Sequence, residues 1–148
     1  MGLPRRELPL ARDDRGRLTV WCPLRRRWLV CTPEEEVRQQ LIRHLVDDCG
    51  FPPFNLAAER QIAFGSLRKR FDLVAYGPSG QPLLLAECKA PSEALDAEVW
   101  FQAYVYNATL AAPWLLLTNG PDLLLAPVGQ ADAAQDWVPP WSVLRSVQ

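Results

Sequence analysis

Apolar residues along the chain form short runs that predict strands, interrupted by two longer stretches with helical spacing. The runs at residues 71–76 and 83–86 flank Gly-Pro-Ser-Gly at residues 77–80, which is strong turn chemistry. We therefore predict a β-hairpin over residues 70–89. The Leu-Leu-Leu-Ala run at 83–86 leaves no polar face, so we expect this strand to be buried on both sides.

The clearest helical pattern covers residues 32–49. Thr32 is a candidate N-cap, and Pro33 suits the first helical position. Glu35 completes a capping box with Thr32, and Gly50 ends the helix. Six apolar residues share one face of this helix: Val37, Leu41, Ile42, Leu45, Val46 and Cys49.

The remaining apolar runs complete an α/β fold. They predict strands at residues 18–21, 28–31, 56–64, 114–118 and 122–128. A second helix, predicted at residues 92–111, crosses from the hairpin to the strand at 114–118, which makes the two strands that it joins parallel. The predicted fold class is therefore α/β, with a mixed four- to five-stranded sheet and one helix on each side.

The chain divides by composition into three predicted parts. Residues 1–20 form a basic N-terminal arm, residues 21–130 the folded domain, and residues 131–148 a packed or extended C-terminal tail. Because residues 1–17 are polar and lack periodicity, we expect them to be mobile or loosely packed.

Composition indicates an ordinary globular protein. The 148 residues are 49% hydrophobic and 22% charged, which suits one domain with a single core. No apolar run approaches the roughly 20 residues that span a bilayer, and no signal segment opens the chain, so we expect no membrane contact. The four cysteines are scattered and accompany one histidine, so we expect reduced thiols, no zinc site and a cytoplasmic location.

Charge is distributed unevenly along the chain. Before residue 32 there are eight arginines and three acidic residues, whereas after residue 89 there are six acidic residues and one arginine. Two interpretations stay open. The basic segment contacts nucleic-acid phosphates, or it is a solvated basic arm.

The hairpin carries charge where a buried strand should carry none. If Gly77 opposes Gly80, Asp72 lies opposite Leu85 and diagonal to Glu87. A shift of the register by two residues places Asp72 opposite Glu87 itself. Either register is expected to put Asp72, Glu87 and Lys89 on one face of the sheet, because side chains alternate along a strand.

Two carboxylates and an ammonium at one strand end favour a metal site. Asp72 and Glu87 are candidate ligands of Mg²⁺, for which Mn²⁺ can substitute, and the carbonyl of Cys88 is a candidate third ligand. Lys89 would orient or deprotonate a bound water or neutralise charge in the transition state. The alternative is a surface hairpin on which Glu87 and Lys89 are simply solvated.

The same residues carry a resemblance to a known family. Asp72, a turn, and then Glu87-x-Lys89 resemble the signature of PD-(D/E)XK nucleases. With their neighbours they resemble the N-terminal nuclease-type domain of type I restriction enzyme R subunits, over about residues 21–128. The resemblance implies a restriction-endonuclease-like core and Mg²⁺-dependent hydrolysis of nucleic-acid phosphodiesters, with DNA as the favoured substrate. It also implies a place in a larger restriction-type complex or homo-oligomer.

Two residues of the second helix match a further motif of that family, Gln-x-x-x-Tyr. The resemblance implies that Gln102 orients substrate, and Tyr106 faces the same way because residues four apart share a helix face. Both would then reach the metal or the nucleic acid. Alternatively, Tyr106 belongs to the core and Gln102 is a capping amide.

Three further residues are candidates for accessory roles. Glu34 matches an acid that many of these nucleases extend from the first helix toward the metal, whereas capping is the favoured explanation for Glu35. Glu59 is an acid near Lys89 or Arg70, or an edge-strand charge. Arg70 makes an ion pair or a phosphate contact.

A rival hypothesis keeps the fold without the chemistry. The sequence contains no GxxxxGK[ST] loop and no helicase region, which R subunits carry elsewhere. On this hypothesis the domain is a catalytically silent module that binds nucleic acid or another protein.

Overall fold

The computed structural model describes residues 2–146, apart from the side chains of residues 62, 64, 67 and 69. The predicted arm and tail therefore include Met1, Val147 and Gln148, which lie outside the described residues. Three strands near the N-terminus form a small antiparallel sheet in the order β1-β2-β3. Their bounds are β1 Leu10–Arg12, β2 Leu18–Cys22 and β3 Arg27–Val30.

A second sheet of five strands forms the centre of the fold, in the order β4-β5-β6-β7-β8. Its strands are β4 Leu56–Phe64, β5 Leu67–Tyr76, β6 Pro82–Cys88, β7 Trp114–Thr118 and β8 Leu123–Pro127. β6 and β7 pair in parallel, and the other neighbours pair antiparallel. The predicted mixed sheet and the predicted parallel crossover are both confirmed.

The register of the β5–β6 hairpin is the second of the two predicted alternatives. The turn closes with the Gly77 N–H donating to Gln81 rather than to Gly80, which shifts the pairing by one residue. An irregularity between Ala75 and Tyr76 shifts it by one more. Leu73 then lies opposite Ala86. The β5–β6 ladder ends at this pair, and the same register extended by one residue would set Asp72 across from Glu87.

The helices begin where their caps require. α1 is Pro33–Arg43, followed by a π-helical turn at His44–Asp48, and the Thr32 side chain caps it by accepting the N–H of Glu35 at 3.1 Å. α2 is Ala97–Leu110 and begins later than predicted, because Asp96 rather than Ser92 is its N-cap. A short helix, α3 Trp141–Leu144, lies in the tail.

Strand β6 is buried from both sides, as its apolar run predicts. Leu84, Ala86 and Cys88 pack in one cluster with Val37 and other residues of α1. The opposite face of the sheet packs in a second cluster with side chains of α2, which comprises Phe71, Val74, Leu85, Ala112 and Leu115 with Trp100, Tyr106 and Leu110 against it. Each fully buried leucine contributes about 1.5–3 kcal/mol, so the two helices hold the central strand in place.

Most of residues 4–17 are exposed, including all of β1, as expected for a loosely packed segment, but the segment is attached to the domain. Leu3 is only 8% exposed, and its N–H donates to the carbonyl of Gly120 at 2.8 Å. A side chain at Gly2 would collide with the backbone carbonyl of Pro121, so the chain passes close against the β7–β8 turn. β1 adds to the small sheet, and the predicted boundary at residue 20 falls inside β2. The polar composition did not reveal these contacts, since most of them use the backbone.

The tail packs back onto the domain. Gln135 makes a β-bridge with Leu125, and Leu144 is buried at 1% exposure. The N–H of Trp141 donates to the carbonyl of Cys49 at 2.8 Å. Within residues 2–146, none of the helices combines the length and the apolar content needed to cross a membrane.

Candidate functional site

Asp72 lies where the central hairpin opens. Cross-strand pairing between β5 and β6 runs up to Leu73 and Ala86, and from there β5 continues beside β4. At the opening, Oδ2 of Asp72 accepts the backbone N–H of Cys88 at 2.6 Å, in place of a backbone carbonyl. Asp72 is 8% exposed, so its carboxylate is fixed in a buried gap between two strands.

The guanidinium of Arg38, on α1, lies among four carboxylates. Its Nη2 donates to Oδ1 of Asp72 at 2.7 Å and lies 2.9 Å from Oε1 of Glu59, while its Nη1 donates to Oε1 of Glu35 at 2.6 Å. Glu34 is more distant, at 3.7 Å. Burial opposes the charge of Arg38, but Asp72 and Glu35 more than offset it, so its pKa is raised above the usual value.

Glu35 pairs with arginines, and the capping-box prediction for its side chain is wrong. Its Oε2 accepts from Nη2 of Arg25 at 2.6 Å and from the amide of Gln39 at 3.1 Å. Thr32 donates its own N–H to the carbonyl of Val30 instead. Two nearby arginines outcompete a backbone N–H for the carboxylate, because an ionised donor makes the stronger hydrogen bond.

Glu59 links the edge strand to the same cluster. Its Oε2 accepts from Nη1 of Arg70 at 3.2 Å, which confirms both the ion pair predicted for Arg70 and the proximity of Glu59 to Arg70. Glu59 has a φ of 59°, in the left-handed region that residues other than glycine rarely adopt. The cluster therefore holds strained backbone as well as buried charge, a combination that is found at functional sites.

Glu34 lies at the solvent side of the cluster, with 44% of its side chain exposed. Burial, followed by the nearby Asp72 carboxylate, raises the pKa of Glu34, while Arg38 and Lys89 act in the opposite direction. Glu34 is thus close enough to both Asp72 and Lys89 to respond to their charges. It connects the Arg38 cluster to the end of β6.

Glu87, Lys89, Gln102 and Tyr106 line one small cavity between β6 and α2. Val99 and Ala103 complete its wall, and its volume of about 30 Å³ is enough for one water molecule. Glu87 and Lys89 of the predicted Glu-x-Lys motif therefore lie in one cavity with Gln102 and Tyr106 of the Gln-x-x-x-Tyr motif. Lys89 is fixed by its backbone N–H, which donates to the carbonyl of Thr118 at 2.9 Å.

An open groove of about 600 Å³ runs from β3 past the start of α1 toward Ala90, the residue after Lys89. Its lining is mainly charged and includes Arg25, Arg27, Glu34, Arg38, Glu59 and Arg70. Arg27 and Arg70 are exposed, whereas Arg25 is partly buried beside Glu35. The groove therefore presents exposed arginines beside Glu34 and Glu59, and it reaches Arg38, the partner of Asp72.

Several arginines of the N-terminal segment are already paired within the protein. Arg5 lies 3.2 Å from Glu36, Arg17 lies 2.8 Å from Asp13, and Arg6 pairs with Asp47 and Asp48. These pairs fasten the arm to α1 and to its own turn. The excess of arginine before residue 32 therefore overstates the charge available for a phosphate.

The donors around Asp72 fit a hard divalent cation by type. Carboxylates such as those of Asp72 and Glu87 and a backbone carbonyl such as that of Cys88 are the oxygen ligands that Mg²⁺ prefers. The carboxylate of Asp72 contacts Arg38 of α1, whereas Glu87 lines the cavity against α2, so the structure does not bring the two carboxylates together on one face as predicted. In the part of the chain that the structure describes, no three His, Cys, Asp or Glu side chains form a group ready to hold a metal. Asp72 instead has Arg38 as its resident counter-charge.

Arg38 is the site residue for which the sequence analysis predicted no role. Helical spacing places Arg38 in the middle of the apolar stripe of α1, which is itself the signal of a buried charge with a partner. The partners, Asp72 and Glu59, lie far along the chain and follow only from the fold.

Comparison with known proteins shows which family the chain belongs to. Residues 33–135 match the family described as type I restriction enzyme R protein N terminus. No curated protein matches the chain. A solved fragment assigned as the HsdR subunit of a type I restriction enzyme from Vibrio vulnificus YJ016 aligns with a TM-score of 0.54 and 17% identity, over 71% of this chain and 23% of that one. At this identity the likeness shows the fold alone, and the chain spans only about a quarter of the solved one. The match over residues 33–135 covers most of the chain, which therefore belongs to the type I restriction enzyme R protein N-terminal family.

Proposed function

We propose that this domain is a PD-(D/E)XK nuclease with a restriction-endonuclease-like core that hydrolyses nucleic-acid phosphodiesters, most of all in DNA. One observation carries the proposal. Glu87, Lys89, Gln102 and Tyr106 line a single cavity, and Asp72 accepts the N–H of Cys88, the residue between Glu87 and Lys89. The nucleases that this chain resembles have their reactive groups at these positions. Here the end of β6 and α2 bring the four residues together.

Asp72, Glu87 and the carbonyl of Cys88 are the groups that would hold Mg²⁺, with Mn²⁺ as a substitute. When bound, the ion would polarise a phosphoryl oxygen and lower the pKa of a coordinated water. Asp72 is the anchor of this set, because the Cys88 N–H fixes one of its oxygens.

Lys89 acts from the end of β6. Its backbone is tied to β7 and Lys89 lines the water-sized cavity, which supports a role for its ammonium in holding an attacking water or in stabilising charge on the phosphoryl group. Gln102 lines the same cavity from α2 and would orient the substrate from the opposite wall. The exposed guanidiniums of Arg27 and Arg70 in the adjoining groove would contact the flanking phosphates.

Family membership supports a restriction-type role. R proteins are subunits of type I restriction enzymes, and this chain matches their N-terminal region. We therefore propose that the domain works within a larger restriction-type complex or as a homo-oligomer. The substrate and the assembly belong to the proposal, since the solved relative is much longer than this chain.

A supercoiled-plasmid assay tests the proposal directly. We expect the chain to nick or linearise the plasmid in Mg²⁺ or Mn²⁺ and to leave it intact in a chelator. Intact plasmid in both metals, with the protein folded and bound to the DNA, would refute nuclease activity.

The second candidate is a catalytically silent module on the same fold. The observation in its favour is the 2.7 Å ion pair between Arg38 and Asp72, which neutralises the central ligand, together with the lack of a ready three-ligand group in the described residues. This candidate predicts DNA or protein binding that is indifferent to divalent metal.

A further inference from the structure

We propose that Arg38 is a built-in counter-cation of the site, and that it competes with a divalent cation for the carboxylate of Asp72. The inference rests on the metal site of the proposed function and goes beyond it. It assigns to α1 the residue that sets how tightly the metal is held.

The contacts of Arg38 are those of a cation at the centre of a binding site. Its side chain is 6% exposed, and oxygens of Asp72, Glu35 and Glu59 lie 2.6–2.9 Å from its two terminal nitrogens. A buried carboxylate needs a compensating positive charge. In this structure Arg38 supplies that charge to Asp72.

The arrangement allows Asp72 to change partner without leaving Arg38 unpaired. Nη1 of Arg38 bonds to Glu35 and Nη2 also contacts Glu59, so two carboxylates stay with the guanidinium when Asp72 is taken. Asp72 in turn keeps the Cys88 N–H on its other oxygen. Each group therefore retains a partner on both sides of the exchange, which keeps the exchange within reach of an ordinary metal affinity.

A purely structural Arg38 would behave differently. A brace between α1 and β5 would hold Asp72 in the position that the metal needs, and its loss would weaken metal binding. A competitor lowers the metal affinity, and its loss strengthens binding. The sign of the change in affinity separates the two roles.

The experiment is a calorimetric titration of the full chain with Mn²⁺ alone, for the wild type, Arg38→Gln and Arg38→Lys. We expect Arg38→Gln to bind Mn²⁺ roughly tenfold more tightly or better, the scale of one lost charge-assisted hydrogen bond. Without metal this variant should melt at a lower temperature than the wild type, and Mn²⁺ should raise its melting temperature by more. Arg38→Lys keeps a charge but loses the fork, so we expect an intermediate affinity.

Arg5→Gln is the matched control. Arg5 pairs with Glu36 on the same helix, away from Asp72, with 85% of its side chain exposed. Its Mn²⁺ affinity should stay within about twofold of the wild type, as expected for an exposed pair.

Each result has one meaning. Equal or weaker Mn²⁺ binding by Arg38→Gln, or no binding by any variant, overturns the competition. If Arg38→Gln does not fold, Arg38→Lys decides, with tighter binding in support and unchanged binding against. Failure of the proposed function shows differently, as a wild type that binds Mn²⁺ and never cuts DNA.

Discussion

Nη2 of Arg38 lies 2.7 Å from Oδ1 of Asp72, so that helix α1 is ion-paired to the strand at which the central hairpin opens. The two side chains are 6% and 11% exposed. Removing either partner of a buried pair leaves the other charge uncompensated, and this loss generally exceeds what the pair itself contributes. The chemistry expected at Asp72 is thereby coupled to the stability of the fold.

Asp72→Asn should destabilise the metal-free protein by about 1–3 kcal/mol, the scale of a lost hydrogen bond to a charged group. The amide can satisfy Arg38 or the Cys88 N–H but presents a donor to one of them, since each needs an acceptor. Urea unfolding in a chelator measures the change. Asp47→Asn, which removes an exposed partner of Arg6, is the control.

The opposite result would be informative. Carboxylate repulsion between Asp72 and Glu87 in a metal-free site predicts a variant more stable than the wild type. A gain in stability would show that Arg38 does not neutralise Asp72 in solution.

Glu34→Gln should stabilise the protein at neutral pH. Burial and Asp72 raise the pKa of Glu34 above its ordinary value of 4.5, so the folded state holds this proton more tightly than the unfolded state. Ionisation of Glu34 therefore costs stability above the folded pKa, and this cost disappears as the pH falls below about 4.5. The gain should be under about 1 kcal/mol, because the side chain is partly exposed and screened.

Unfolding midpoints at pH 7 and pH 4 test this sign. The difference between Glu34→Gln and the wild type should be present at pH 7 and shrink at pH 4. Glu36→Gln is the control, because Glu36 has a similar side-chain exposure, 43%, but pairs with Arg5 and should show no gain. A Glu34→Gln variant that is less stable at pH 7 would contradict the argument.

Gln102→Ala should slow DNA cleavage by roughly tenfold to a hundredfold, the cost of a misplaced substrate. Gln102 lines the cavity with Lys89 but contributes no charge, so Mn²⁺ affinity should be unchanged. Single-turnover cleavage and calorimetry separate the two effects. Thr109→Ala, exposed on the same helix and outside the cavity, should cleave normally, and an equal loss in both variants would point to helix stability instead.

Arg27→Gln should weaken DNA binding and reduce the salt dependence of log K by roughly 0.9, the value for one lost phosphate contact. Arg27 is exposed and lines the groove, whereas Arg17 is held by Asp13, so Arg17→Gln should have little effect. Fluorescence anisotropy over a salt series gives both slopes. Identical slopes for the wild type and Arg27→Gln would remove this groove from the DNA interface.

These single substitutions replace a simpler experiment that the sequence suggests, the removal of everything before Trp28. The structure argues against that deletion, because it would remove β1 and β2, including the buried Val20 and Cys22. Weaker DNA binding by the shortened chain would then report unfolding as well as lost charge.

Local patterns predicted most of the fold. The unbroken apolar run of β6 indicated a central strand, and the helical stretch after it implied the parallel neighbour β7. The register of the hairpin was left between two alternatives because it depends on how the turn closes and on the irregularity near Tyr76. Neither feature has a clear signature in the residues themselves.

The site was predicted only where its residues lie on one element. Glu87 and Lys89 share a strand, and Gln102 and Tyr106 share a helix face, so spacing alone paired each set, and the crossover then brought the two sets together. The partners of Arg38 come from separate elements, and their pairing emerges only in the fold, where Arg38 of α1 reaches Glu59 on β4 and Asp72 on β5. The capping explanation for Glu35 failed for the same reason.

Nicking of supercoiled plasmid by the wild type and Lys89→Ala, read together with DNA affinity and melting temperature, decides whether Lys89 acts in cleavage. Both ligand carboxylates remain in the variant, so we predict that metal and DNA binding survive while cleavage falls by roughly 10²-fold or more. We expect a stable, DNA-binding but inactive variant of an active parent, which would support the nuclease. A folded, DNA-binding wild type that leaves plasmid intact in Mg²⁺ and Mn²⁺, or a Lys89→Ala variant that cuts at the wild-type rate, would contradict it.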